Sequence, residues 1–150
     1  MNRACMLALA LCAVSCGSGP VTGAPESGPL SHAAARQVCA PWDGPGVSIV
    51  LASDSLAAET LTPPYVEFRI YQSADLLSGR TLRFSGNTSD SGAVLSCPSE
   101  GQCDFTDGGI DFGALHPPAD LPGRYRVLLG GRWATGSFRA HWIQRRELCG

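Results

Sequence analysis

The stretch Pro122–Gln144, PGRYRVLLGGRWATGSFRAHWIQ, sets the register of a β-hairpin and with it the fold class of the chain. Gly130-Gly131 supplies the two positive φ angles that a two-residue type I′ turn requires. Counting outward from that turn sets Leu129 opposite Arg132, Val127 opposite Ala134 and Tyr125 opposite Gly136. One face then carries Tyr125, Val127, Leu129, Ala134, Gly136, Phe138, Ala140 and Trp142. The other carries Arg124, Arg126, Leu128, Trp133, Thr135, Ser137, Arg139 and His141. Strand side chains alternate with a period of two, so a slip of one residue would scramble both faces. Phe138 and Trp142 are therefore expected in the core. Trp133 is the exception, an indole among arginines, placed to stack on Arg126 or Arg139.

The same grammar recurs upstream. Short apolar or alternating runs rich in Val, Ile, Phe and Tyr occur at GVSIVLAS (46–53), YVEFRIYQ (65–72), TLRFS (81–85), AVLSC (93–97) and GIDFGA (109–114). They are separated by Pro63-Pro64, Ser78-Gly79, Gly86-Asn87, Asp107-Gly108-Gly109 and Pro117-Pro118, the residues of turns. No segment holds a helix-length 3.6 period, and Ser55 to Thr60 has room for one turn at most. Seven short antiparallel strands predict an all-β domain, a small β-sandwich or a partly closed β-barrel. Periodicity does not choose between the two.

The N-terminus reads as an address. Met1-Asn2-Arg3 is a short positive region, and Ala4 to Val14 is apolar over eleven residues, too short to span a bilayer as a helix. Ala13-Val14-Ser15-Cys16 then places small or apolar residues before a cysteine. This resembles the lipobox of bacterial lipoprotein precursors. The resemblance implies a signal peptide over 1–15 and a diacylated Cys16 as the first mature residue. With Gly17 rather than aspartate after it, the resemblance implies anchoring in the outer membrane. The alternative is ordinary cleavage, after Ala24, and a secreted or periplasmic protein. Residues 16–37, rich in Gly, Pro, Ser and Ala, bury too little apolar surface to offset ordering and predict a flexible tether. The β-domain is then expected over 38–150. Its ending, G-R-x-x-x-G-S-F-x-A-x-W, is similar to uncharacterised small lipoproteins of GC-rich bacteria, a resemblance that carries no activity.

Seven cysteines are an odd count. Cys5 and Cys12 would leave with the signal peptide and Cys16 would take lipid, so Cys39, Cys97, Cys103 and Cys149 remain. An even number in a small exported domain implies two disulfides. Cys97 and Cys103 bracket the short polar segment PSEGQ, while Cys39 and Cys149 stand at the two ends of the domain. The favoured pairing is 97–103 with 39–149. In the chain-entropy account, a bridge enclosing about 110 residues stabilises by up to about 4–5 kcal/mol.

Charge and motifs narrow the function. All eleven basic residues are arginine. Four arginines face twelve carboxylates between Gly17 and Asp120, and six face only Glu147 from Leu121 onward. With a formal charge of −2 and no basic helix, the chain is not expected to bind nucleic acid. It has no G-x-S-x-G, H-E-x-x-H or phosphate-loop motif, no C-x₂-C pair, and three scattered histidines, His32, His116 and His141. No enzyme, metal or cofactor is expected. Asp104, Asp107 and Asp111 crowd around two glycines, but they lack the spacing of a calcium loop and read as a turn. The expected role is therefore binding or structural support by a lipid-anchored domain, its partners the membrane and an envelope protein or glycan. An inhibitor or chaperone-like lipoprotein is the alternative. Candidate partner surfaces are Leu76 and Leu77, in the loop SADLLSG, and the Trp133, Arg126 and Arg139 group.

Overall fold

The computed structural model describes residues 28–54, 61–115, 120–143 and 148–149. The expected signal peptide, Cys16, residues 55–60 with their expected single turn, His116 and Pro117-Pro118 lie outside them. Nine strands form one sheet: β1 (His32–Cys39), β2 (Pro45–Ala52), β3 (Tyr65–Ile70), β4 (Thr81–Phe84), β5 (Gly92–Ser99), β6 (Gln102–Phe105), β7 (Gly108–Phe112), β8 (Leu121–Leu129) and β9 (Arg132–Ile143). Their order across the sheet is β4-β7-β8-β9-β1-β2-β3-β5-β6. The only helical element among the described residues is a single 3₁₀ turn at Ala74–Leu76.

The hairpin that opened the sequence reading has the expected register. Leu129 pairs with Arg132, Val127 with Ala134 and Tyr125 with Gly136. Gly130 and Gly131 have φ of 54° and 78°, as the type I′ turn demands. Tyr125, Val127, Phe138 and Ala140 are buried in the core, and Trp142 packs half-buried against its edge.

The sheet curls into a half-barrel, so one concave face makes the core. Phe68 of β3 and Phe84 of β4 stand seventh and first in strand order, yet their ring centroids are 6.2 Å apart. The link between β6 and β7 ties the two sides of the curl together. Thr106 N donates to Val94 O at 3.0 Å on one side, and Leu128 N donates to Asp107 O at 2.9 Å on the other. Where β5 begins it presses on the end of β3. A Cβ at Gly92 (φ +136°) would fall 2.0 Å from Arg69 O, so only glycine fits.

Two strands exceed the seven expected, and one of them corrects the domain boundary. Residues 32–37 do not belong to a tether: they form most of β1, the central strand of the sheet. The ordered region starts further upstream, because Leu30 is buried and its N–H donates to Tyr125 Oη at 2.9 Å. HAAARQVC has a single β-branched residue, Val38, too few to mark a strand by sequence. In the middle of a tightly curled sheet, however, small inward side chains such as Ala33 and Ala35 are what the space admits. The expectation of wholly antiparallel pairing is corrected at the same place. β1 runs antiparallel to β2 but parallel to β9, with Arg36 opposite Ile143. The second unexpected strand, β6, is exposed at all four positions and so carries no alternation to read.

The sulfurs of Cys39 and Cys149 lie at bonding distance, as do those of Cys97 and Cys103. The first pair joins β1 to the segment after β9, where the parallel strands end together. The second pins the edge strand β6 to β5.

Candidate functional site

The most elaborated surface lies on the convex side of β1, β2 and β3. Arg36 stands opposite Ser48, and Ser48 opposite Arg69, so these three side chains form one row across the strands. Glu67, two residues before Arg69, falls on the same face one row away, because strand side chains repeat every second residue. Its side chain is only 4% exposed. Ser48 Oγ donates to Glu67 Oε1 at 2.6 Å, while Arg69 Nε and Nη2 donate to Oε2 at 3.1 and 2.9 Å. Arg36 Nη2 stands 3.6 Å from Oε1.

A buried carboxylate survives only when donors satisfy it, and here β2 and β3 supply them, with the charge of Arg36 on β1 close by. Two guanidiniums share one carboxylate, which leaves the cluster with a net positive charge. Burial pulls the Arg69 pKa down, but the hydrogen bond and charge of Glu67 outweigh it and leave it above the ordinary arginine value. Arg69 is therefore a permanent cation. Arg36 is less well used: its Nε is buried and has no hydrogen-bond partner among the described residues.

An open groove of about 390 Å³ runs over this cluster, lined by Arg36, Val38, Cys39, Pro41, Glu67, Arg69 and Tyr71. One end is aromatic. Trp42 meets Tyr71 edge to face, with ring centroids 5.4 Å apart and planes at 78°. The indole sits on the turn between β1 and β2, which closes through Ala40 N to Gly44 O at 2.8 Å and Asp43 N to Ala40 O at 3.0 Å. A Cβ on Gly44 would lie 2.7 Å from Trp42 Nε1, so glycine lets the ring fold over the turn. Trp42 is nevertheless 55% exposed, a fixed aromatic surface packed on the groove residue Tyr71.

The surfaces expected from sequence are placed differently. Trp133 and Arg126 do come together, the guanidinium carbon 3.9 Å from the ring centroid. Arg139 shares their face but not their contact, since it stands six residues further along β9, roughly 20 Å away. Leu76 is exposed, but Leu77 is not available to a partner: it is fully buried in the core. The 3₁₀ turn explains the split, because its three residues per turn send neighbouring side chains in different directions. His141 Nδ1 pairs with Asp120 Oδ1 at 2.8 Å in an exposed position. Asp111 binds Thr81 and Arg83 instead of joining Asp104 and Asp107. Among the described residues, no three His, Cys, Asp or Glu side chains converge as metal ligands.

The groove residues escaped the sequence reading. Arg36 lay in what composition assigned to a tether, and Trp42 in a turn. The Glu-x-Arg of YVEFRIYQ does place a carboxylate and a guanidinium on one strand face, but nothing in the sequence says that this face is buried.

The chain matches no protein-family model, no curated protein and no solved structure. The site has to be read from its own geometry.

Proposed function

We propose that this chain is an exported, lipid-anchored, non-enzymatic β-domain of the bacterial envelope, held at the outer membrane through Cys16, and that its role is to bind. The observation that carries the binding role is the groove, where a buried Glu67 fixes Arg69 and holds Arg36 nearby, next to half-buried Tyr71 and the exposed Trp42 packed on it. Small-molecule sites commonly have this make-up, an apolar wall with a few placed polar groups. The two bonded cysteine pairs support an oxidising compartment, since such bonds persist outside the reducing cytosol. Their arrangement also fits the count of seven cysteines: four pair in the β-domain, Cys5 and Cys12 fall in the proposed signal peptide, and Cys16 is left for lipid.

Intact-mass measurement of the mature protein from its host, before and after reduction, tests the anchoring. The expected species starts at Cys16, carries lipid mass, and gains two hydrogens per bridge on reduction. A mature N-terminus at Pro25 without lipid would overturn the anchor.

A further inference from the structure

Resting on the binding role just given, we infer that the groove over β1–β3 takes an acidic saccharide, a sugar ring bearing a carboxylate. Arg36 would hold the carboxylate, and the Trp42–Tyr71 pair would hold the ring.

The charge comes first. Arg69 spends Nε and Nη2 on Glu67, whereas Arg36 reaches that carboxylate only at 3.6 Å, its buried Nε has no partner among the described residues, and a third of its side chain is open to solvent. A guanidinium presents five donors in a fixed fork that fits a carboxylate, so Arg36 is the under-used cation of the groove. Glu67 does not compete for the site, because its oxygens already accept from Ser48 and Arg69. Its burial instead fixes Arg69 through two hydrogen bonds and keeps Arg36 at ion-pair distance before any ligand arrives, and such preorganisation lowers the cost of binding.

The second observation selects the ring. Tyr71 lines the groove, and Trp42, packed edge to face on Tyr71 and next in sequence to the groove residue Pro41, extends its rim with an exposed indole fixed over Gly44, a flat apolar surface with little entropy left to lose. A pyranose presents its C–H face to such a surface. The size agrees, since about 390 Å³ lies towards the lower end of the roughly 300–1,000 Å³ of small-ligand sites.

The third observation turns away an extended peptide. β1 lies between β9 and β2, β2 between β1 and β3, and β3 between β2 and β5. Across β2 and β3, and along β1 from Ala34 to Arg36, both sides are paired with neighbouring strands, so a peptide could not dock there by adding a strand. Recognition has to come from side chains alone.

The test is calorimetric titration of the mature protein in detergent with trigalacturonic acid and, separately, with its methyl ester, alongside tryptophan fluorescence. The acid should bind at least about tenfold more tightly than the ester, the loss expected when one charge-assisted contact goes. Arg36→Gln should abolish that preference, and Trp42→Ala, at an exposed turn, should weaken both ligands. Arg126→Gln, on the other arginine surface, should leave affinity unchanged. Equal binding of acid and ester, absence of binding at millimolar acid, or an Arg126→Gln loss as large as that of Arg36→Gln would each overturn the inference. If Arg36→Gln fails to fold, the acid-to-ester ratio of the unaltered protein still decides. Should the inference fail while the mass shows lipid on Cys16, the ligand class falls and the anchored-domain reading stands.

Discussion

Two carboxylates on the convex face of this sheet each hold an arginine, and only one of them organises a site. Glu67 sits mid-sheet, 4% exposed, and takes donors from β2 and β3 with Arg36 of β1 nearby. Asp111 sits beside the edge strand β4, its side chain 43% exposed, and accepts from Thr81 Oγ1 at 2.8 Å and Arg83 Nη1 at 3.1 Å. The chemistry is the same, and the solvent differs. Water screens the Asp111 pair and would solvate either partner alone, whereas Glu67 has no such alternative and must keep its donors. Burial of one carboxylate is thus what converts a pair of surface arginines into fixed, directed groups.

The sharpest way to break this contrast is to remove the buried carboxylate. Glu67→Ala leaves Ser48 buried without its acceptor and sets two like charges side by side. Losing one partner of a buried pair costs about 3–5 kcal/mol, but Arg36 and Arg69 are one third and one half exposed and can turn to water. A loss of about 2–3 kcal/mol is expected in urea unfolding. A loss under about 1 kcal/mol would place Glu67 in the same class as Asp111 and remove the basis for a preorganised groove.

How far the sequence foretold this contrast depended on whether alternation was visible. All seven expected strands are present, and the β8–β9 register is as counted, because Tyr125, Val127, Phe138 and Ala140 mark one face unmistakably. β1 hid because alanines pack well at the centre of a curled sheet without announcing themselves. Hiding β1 also hid Arg36, and with it the groove. The pairing of the four domain cysteines was legible from their positions, since Cys97 and Cys103 bracket a short polar loop and Cys39 and Cys149 stand at the two ends of the domain. Leu76 and Leu77 were not separable, because a single 3₁₀ turn has no period long enough to read. Burial of Glu67 is a property of the assembled sheet, and no local pattern encodes it.

An intermediate case is a buried tie that carries no charge. Tyr125 Oη accepts from Leu30 N at 2.9 Å inside the core and holds the entry of the chain into β1. Tyr125→Phe leaves that N–H buried and unpaired, which costs about 1–3 kcal/mol. Burial also raises the Tyr125 phenol above its ordinary value, while the Leu30 N–H pulls the other way. The sign of the pH effect follows. The folded protein keeps this proton while the unfolded chain releases it near pH 10, so stability is whole below that pH and falls as pH rises past it. The chain has no lysine, so no ammonium titration obscures the trend. Urea midpoints at pH 7 and above pH 10 should diverge more for the unaltered protein than for Tyr125→Phe. Equal divergence would mean that the phenol is open to water.

The smallest effect belongs to Asp111, and its smallness is the informative part. Asp111→Ala removes the acceptor of both Thr81 and Arg83, yet each can pass to solvent, and Arg83 keeps a bond from Nη1 to Leu82 O at 3.0 Å. Exposed pairs of this kind contribute about 0.2–1 kcal/mol, and the change in unfolding free energy should stay within that range. It should shrink further in about 1 M salt, where charges are screened beyond roughly 3 Å, whereas the Glu67→Ala loss should persist because salt does not enter its site. If salt erased both losses alike, the two carboxylates would share one environment. Arg36 and Arg69 would then be ordinary surface arginines, no more fixed than Arg126 where it lies across Trp133.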